Sequence, residues 1–273
     1  MRHRRPPPDP MQQKKSLGQV FLKVDWPVQR MVERLQDLGV KRAIEIGPGG
    51  GVLTKALVEA GIRTTAVEKD PRFAEKLQGY AEELGRTAFG HLSVVQADFL
   101  SYDIDGWLAA EEGTAAIVGN IPYHISSPIV LRTLGYLSQL EAVLVMTQLE
   151  FAKRVAARPG TKDFGSLTVY SQLRAEVGIE FEVERDCFQP VPKVDSAVLL
   201  LQRKSPMLPV EILAGVERVT RQAFTQRRKK LRNSISPFLF GKDESQCPID
   251  LERRADVLSP EEFTALAAWL LDK

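Results

Sequence analysis

Arg42-Ala43-Ile44-Glu45-Ile46 runs straight into Gly47-Pro48-Gly49-Gly50-Gly51, and Val52-Leu53-Thr54-Lys55-Ala56-Leu57 follows with helical spacing. A short apolar run, a glycine turn and an amphipathic segment are the opening of a strand–turn–helix unit, in which the backbone can approach a ligand where side chains would block it. Outward from this point the pattern repeats. Arg63–Glu68, Leu92–Gln96, Ala115–Gly119 and Glu141–Gln148 are further short apolar runs separated by segments of helical length. That alternation predicts a parallel sheet wrapped by helices, a Rossmann-like α/β fold.

Beyond the fifth run the period changes. Gly178–Val183 and Ala197–Gln202 are expected to be two more strands that close the sheet edge as a hairpin around Phe188-Gln189-Pro190-Val191-Pro192-Lys193-Val194. Lys204-Ser205-Pro206-Met207-Leu208-Pro209 has two prolines and no periodicity, as a linker does. After it, Val210–Gln226 carries apolar residues at helical spacing. Ser259-Pro260-Glu261-Glu262 ahead of Phe263, Leu266 and Leu270 has the arrangement of a capping box. The expected organisation is a basic tail over 1–15, a cofactor-binding domain over 16–204, a linker over 205–209 and a small all-helical domain over 210–273.

The 273 residues, 44% hydrophobic and 26% charged, suffice for one large core and a smaller one. A formal net charge of +2 announces no nucleic-acid partner, so such a role must come from segregated charge. The only cysteines, Cys187 and Cys247, lie far apart, and His3, His91 and His124 sit beside no second ligand. No metal site and no disulfide framework are expected, and a reduced, cytoplasmic setting is. No apolar run is long enough for a signal peptide core or a membrane span.

Glu68 ends the second strand about twenty residues past the glycine turn, where a carboxylate accepts from ribose hydroxyls. This fits NAD, FAD or S-adenosylmethionine alike. Val52 stands where a dinucleotide fingerprint has a third Gly or Ala, which weakens the nicotinamide reading. Asp98, just after the third strand, adds a second acid placed to accept from an adenine amine, which tilts the reading toward an adenosyl ligand.

The fourth strand delivers Gly119-Asn120-Ile121-Pro122-Tyr123 to the carboxyl edge of the sheet. An aromatic exocyclic amine is a poor nucleophile because its lone pair is delocalised into the ring. Two acceptors, the Asn120 side-chain oxygen and the Pro122 main-chain carbonyl, would each take one N–H and favour a pyramidal nitrogen. Pro122 stiffens the turn, and Tyr123 offers a ring face on which a base can stack. A plain strand-to-helix turn would use the same residues for capping and core. The position of the segment opposite Gly47, Glu68 and Asp98 favours the substrate role.

These segments, with Gln19-Val20-Phe21-Leu22, Gln96-Ala97-Asp98, Phe188 to Ser196 and Phe224 to Asn233, resemble the ribosomal RNA adenine dimethyltransferase (KsgA/RsmA) family nearly end to end. The resemblance implies N6,N6-dimethylation of two adjacent adenosines in a hairpin near the 3′ end of small-subunit ribosomal RNA, four methyl groups in all, late in subunit assembly. It implies that S-adenosylmethionine is held by Val20, Leu22 and Gly47 at its methionine part, Glu68 at its ribose, Asp98 at its adenine and Asn120 at its reactive end. It further implies that Phe188 stacks on the target adenine opposite Tyr123. The family usually has Asn where this chain has Val20, so only main-chain contacts are expected there.

Arg218, Arg221, Arg227, Arg228, Lys229, Lys230 and Arg232 concentrate positive charge without interleaved acids, as suits a phosphate backbone. Arg2, Arg4, Arg5, Lys14 and Lys15 offer a second basic strip. The expected partner is ribosomal RNA within the small subunit, met by a monomer. The rivals are a large-subunit adenine methyltransferase of the macrolide-resistance type, a non-catalytic assembly factor and, less favoured, an NAD-dependent dehydrogenase.

Overall fold

The computed structural model describes residues 20–85 and 91–271. The N-terminal tail with Arg2, Arg4, Arg5, Lys14 and Lys15, and Gln19 of the first motif, lie outside the described residues. The chain divides into two compact units, one of residues up to Leu149 together with Glu180–Leu199, the other of Glu150–Ile179 and the residues from Leu200 onward.

In chain order the elements of the first part are β1 (Phe21–Leu22), α1 (Trp26–Asp37), β2 (Arg42–Ile46), α2 (Val52–Glu59), β3 (Arg63–Glu68), α3 (Pro71–Gly85), β4 (Leu92–Gln96), α4 (Ile104–Ala110), β5 (Ala115–Asn120), α5 (Ser126–Leu134) and β6 (Ala142–Gln148). Then come α6 (Leu149–Val155), α7 (Ser166–Arg174), β7 (Ala175–Val183), β8 (Phe188–Gln189) and β9 (Ser196–Arg203). The remainder is helical: α8 (Val210–Thr225), α9 (Leu231–Ser234), α10 (Ser236–Leu239) and α11 (Pro260–Leu271).

Among the described residues one seven-stranded sheet has the order β4-β3-β2-β5-β6-β9-β7. β2 is parallel to β3 and β5, β3 to β4, and β5 to β6. The chain leaves β2 in one direction to β3 and returns on the other side at β5, so the crevice outside the carboxyl ends of β2 and β5 is the switch point where open α/β sheets bind ligands. Residue types follow position. Every residue of β2 is buried, including Ile44 and Ile46, whose burial stabilises by roughly 1.5–3 kcal/mol each. β4, at the edge, leaves Ser93 and Gln96 exposed. The fold is the expected Rossmann-like one, with β9 and β7 at the far edge and a helical C-terminal region.

A second sheet is a two-residue ribbon that sequence periodicity did not reveal. β1 pairs antiparallel with β8, Phe21 opposite Gln189 and Leu22 opposite Phe188. The backbone N–H of Lys23 extends it by donating to the Cys187 carbonyl at 2.9 Å. Two motifs more than 160 residues apart in sequence are thus one structure.

In the second unit the capping box forms as expected. The Ser259 Oγ accepts the Glu262 N–H at 3.2 Å, and Glu262 Oε2 accepts the Ser259 N–H at 2.8 Å. The core of this unit joins α8 and α11 through Phe224, whose ring lies 5.9 Å from Phe263 and 6.1 Å from Phe164. Phe164, Val169 and Leu173, which precede the expected linker at 205–209, belong to that core.

Candidate active site

A cavity of about 220 Å³ lies in the first unit, lined at its floor and walls by Glu45, Gly47, Gly49, Glu68, Asp98 and Asn120, and by β1 and Tyr123. Its glycine turn is shaped by backbone geometry. Gly47 and Gly49 have φ of +60° and +51°, and a Cβ on Gly49 would meet the Phe21 ring at 2.8 Å. Phe21 is in turn fixed by an edge contact with Phe73, centroid to centroid 5.5 Å.

Glu68 knits the turn to the sheet. Its Oε2 accepts the Gly49 N–H at 2.9 Å and its Oε1 the Asp70 N–H at 2.7 Å. Burial pushes its carboxyl upward from the ordinary range, partly offset by these two backbone donors. Each oxygen still has a lone pair for a hydroxyl. Asp98 caps the turn after β4 by accepting the Leu100 N–H at 2.9 Å. Its other oxygen meets Lys69 Nζ at 2.8 Å, and this hydrogen bond draws the carboxyl below its usual value.

Glu45 has no role that sequence reasoning assigns. It lines the cavity, 2% exposed, with Oε2 lacking a hydrogen-bond partner. Burial, reinforced by the nearby Glu68 charge, lifts its carboxyl to about 8. A carboxylate set between Ile44 and Ile46 in a wholly buried strand is the signal that marks it.

At the substrate end, Asn120 Nδ2 donates to the Val20 carbonyl at 3.0 Å, so the amide presents Oδ1 as its acceptor. The Val20 main-chain carbonyl thus holds Asn120 in place. Tyr123 is held by its hydroxyl, 2.7 Å from Ser196 Oγ, and burial pushes its phenol upward. Ser196, whose role the sequence left open, thus anchors the aromatic wall.

The Pro122 carbonyl is busier than the sequence implied. It accepts the Ile125 N–H at 3.1 Å, and Ser126 Oγ lies 3.4 Å away. Ser126 Oγ is also 2.7 Å from Thr147 Oγ1, where either hydroxyl can donate, so the second Pro122 lone pair is open to a further donor only when Ser126 gives its hydrogen to Thr147. Phe188 is not brought to the cavity. It is fully buried on β8 and is absent from the lining, so in this conformation it supports the ribbon beneath the site.

The basic cluster is placed in the second unit, mostly in the turn between α8 and α9 and on its flanks. The expectation that it lacks pairing acids is corrected. Arg221 meets Glu217 at 2.8 Å, Arg227 meets Asp256 at 3.8 Å, Lys230 meets Glu252 at 2.6 Å, and Arg232 meets Glu244 at 3.0 Å. Three of these four acids come from beyond residue 240, too far along the chain for local charge patterning to reveal them. Arg228 and Lys229 are exposed and have no acid partner among the described residues.

With this geometry in view, a family profile described as ribosomal RNA adenine dimethylase matches residues 11–272. The chain belongs to this family. With the family come methylation of ribosomal RNA adenine and S-adenosylmethionine as methyl donor. The chain is 36% identical over 267 residues to the ribosomal RNA small subunit methyltransferase A of Mannheimia succiniciproducens, covering 95% of this chain and 90% of that one. It is 39% identical over 254 residues to the protein so described in Chlorobium limicola, covering 93% and 91%. Among solved structures it is similar to the 23S rRNA methyltransferase ErmE, with a TM-score of 0.67 and 28% identity over 92% of this chain and 99% of that one. It shares its fold with a dimethyladenosine transferase from Plasmodium falciparum, TM-score 0.72, 22% identity, covering 90% and 95%.

The cavity suits the family's methyl donor on its own terms. Two buried acids and a third at the mouth face an otherwise largely apolar space, as a cationic adenosyl ligand with free hydroxyls requires. A side chain on Gly47 would stand in open space beside the cavity, on a backbone conformation that L residues rarely adopt.

Proposed function

We propose that this protein dimethylates the N6 amines of two adjacent adenosines in the 3′-terminal hairpin of small-subunit ribosomal RNA, four methyl transfers in all, during late subunit assembly. The observation that carries the reading is the Asn120 amide, anchored at Nδ2 so that its oxygen remains an acceptor at the rim of the acid-lined cavity. The greater identity to relatives described as small-subunit enzymes, 36% and 39%, than to the 23S enzyme, 28%, supports the choice of subunit.

When bound, S-adenosylmethionine supplies an electrophilic methyl on a sulfonium. Gly47 and the main chain of Val20 and Leu22 would hold its methionine part, Glu68 its ribose and Asp98 its adenine. Asn120 Oδ1 and the Pro122 carbonyl, with the Ser126 hydrogen turned to Thr147, accept the two amine hydrogens of the target and turn the nitrogen lone pair toward the donor. Tyr123, fixed by Ser196, supplies the face on which the flipped base stacks. No strong base is needed, because the methylated amine is acidic enough to lose its proton to water. Arg221, Arg227, Arg228, Lys229, Lys230 and Arg232 position the RNA through its phosphates.

The reading is tested by offering the purified protein tritiated methyl donor with either unmethylated small subunits or large subunits, and locating the label by primer extension. Label confined to adjacent adenosines of the 3′ hairpin is the expected result. Transfer to large-subunit RNA would favour the macrolide-resistance type, and cofactor binding with no transfer would favour an assembly factor.

A further inference from the structure

Phe240 is 97% exposed, the most exposed of the large hydrophobic side chains among the described residues. It is not a loose end. Phe240 has φ −59° and ψ 122°, Gly241 has φ +79°, and the Lys242 N–H donates to the Leu239 carbonyl at 3.1 Å. These are the dihedrals and the closing bond of a type II turn, with the glycine where the turn requires it. The turn is fastened on both sides. Phe238 and Leu239 pack on the core of the second unit, and Lys242 Nζ donates to the Trp269 carbonyl at 3.2 Å.

A rigid turn that holds one aromatic ring in water is built for something that covers the ring. Interfaces with proteins desolvate a contiguous apolar patch, whereas a nucleic-acid base needs only one ring face. Here one ring dominates the exposed apolar surface of the turn, since its neighbours Phe238 and Leu239 are partly buried against the core. The nearby charge is mixed, with Asp243 three residues past Phe240 and Arg232 paired with Glu244, but the Arg218 guanidinium, 5.7 Å from the Phe238 ring, has no acid partner among the described residues. Arg228 and Lys229, exposed in the α8–α9 turn, add positive charge without acid partners among the described residues to the same unit.

We propose that Phe240 is a nucleic-acid contact in its own right: its ring stacks on an unpaired base of the ribosomal RNA, in a contact separate from the target adenosine's site. This rests on the reading of the protein as an enzyme that docks on ribosomal RNA. It assigns a base-stacking role to the second unit besides its phosphate contacts.

The experiment measures binding to unmethylated small subunits by wild type, Phe240→Ala, Phe240→Leu and Phe240→Trp. Because the side chain is almost wholly exposed, all four are expected to share one thermal midpoint and one affinity for S-adenosylmethionine. Phe240→Ala should bind the subunit roughly tenfold more weakly, the size of a missing base–aromatic stack. Phe240→Leu should be as weak, and Phe240→Trp should match wild type. In parallel, Phe240→p-benzoylphenylalanine is irradiated on the subunit and should cross-link to RNA. Wild-type affinity in Phe240→Ala or Phe240→Leu would overturn the proposal, as would a cross-link to a ribosomal protein or none at all. Failure of the underlying reading is separate, for then wild type itself would bind the methyl donor yet neither bind nor methylate the subunit.

Discussion

The cavity rim and the basic turn are both polar, but their polar atoms are held in opposite ways. In the cavity the acceptors are clamped by backbone donors: Glu68 by Gly49 and Asp70, Asp98 by Leu100. Asn120 is clamped from the other end, by the Val20 carbonyl. In the basic turn the cations are exposed and four of them lean on acids drawn mostly from distant sequence. A buried clamp leaves a defined acceptor aimed at a ligand, so removing it should damage chemistry or cofactor binding sharply. A surface ion pair contributes little, about 0–1 kcal/mol, and its cation can exchange an acid for a phosphate.

The largest effect should therefore come from the rim. Asn120→Ala is expected to lower the rate of methyl transfer by about 10²–10³ while S-adenosylmethionine affinity, read by calorimetry, changes far less. Equal losses in rate and cofactor affinity would mean that the side chain serves the cofactor alone and that its acceptor role is wrong.

Next, Glu68→Ala should weaken cofactor binding by roughly 10- to 100-fold, since it removes a charged acceptor and leaves the Gly49 and Asp70 N–H groups unpaired. RNA binding without cofactor should be unaffected. Unchanged cofactor affinity in a titration would remove Glu68 from the site.

The basic turn offers a finer comparison within itself. Arg228→Ala with Lys229→Ala should reduce the salt dependence of small-subunit binding by roughly 0.7–0.9 for each phosphate deprived of its cation. Lys230→Ala with Arg232→Ala should do less, because those cations also release Glu252 and Glu244 when they engage RNA. Identical slopes for the two pairs would show that the acids do not compete.

The last expected effect concerns stability rather than chemistry or binding. Glu45, lifted from 4.5 to about 8 chiefly by burial, keeps its proton in the folded chain where the unfolded chain has lost it. The folded state binds the extra proton across that window, so this group's contribution to stability is complete below its unfolded value and is lost as pH rises toward 8, by at most about 1.4 kcal/mol per pH unit. Denaturant titrations should find Glu45→Gln less sensitive to rising pH than wild type between these values. Parallel pH profiles would contradict the raised pKa of the buried Glu45 carboxyl.

What was legible in the sequence was whatever a few consecutive residues decide. The five parallel strands stand where the apolar runs put them, and Glu68, Asp98 and Asn120 line one cavity because each ends or follows a strand at the same sheet edge. Contacts across the chain were not legible. Nothing in Gln19-Val20-Phe21-Leu22 says that its backbone pairs with Phe188 and Gln189, or that the Val20 carbonyl holds Asn120. The family resemblance implied a base-stacking ring at Phe188, yet Phe188 is fully buried on the ribbon. The basic turn looked free of acids because Asp256, Glu252 and Glu244 approach only in three dimensions. Phe164 enters the helical core although an entire sheet hairpin separates it in sequence from α8.

The central claim is that the anchored Asn120 acceptor, set over an acid-lined cavity, serves complete N6,N6-dimethylation of small-subunit ribosomal RNA. The most direct measurement is mass spectrometry of nucleosides from unmethylated small subunits after exhaustive reaction with the purified protein and S-adenosylmethionine. The account predicts two N6,N6-dimethyladenosines per subunit, accounting for four transferred methyl groups, and almost none with Asn120→Ala over the same interval. Monomethyladenosine as the final product, no incorporation, or an Asn120→Ala yield equal to wild type would contradict it.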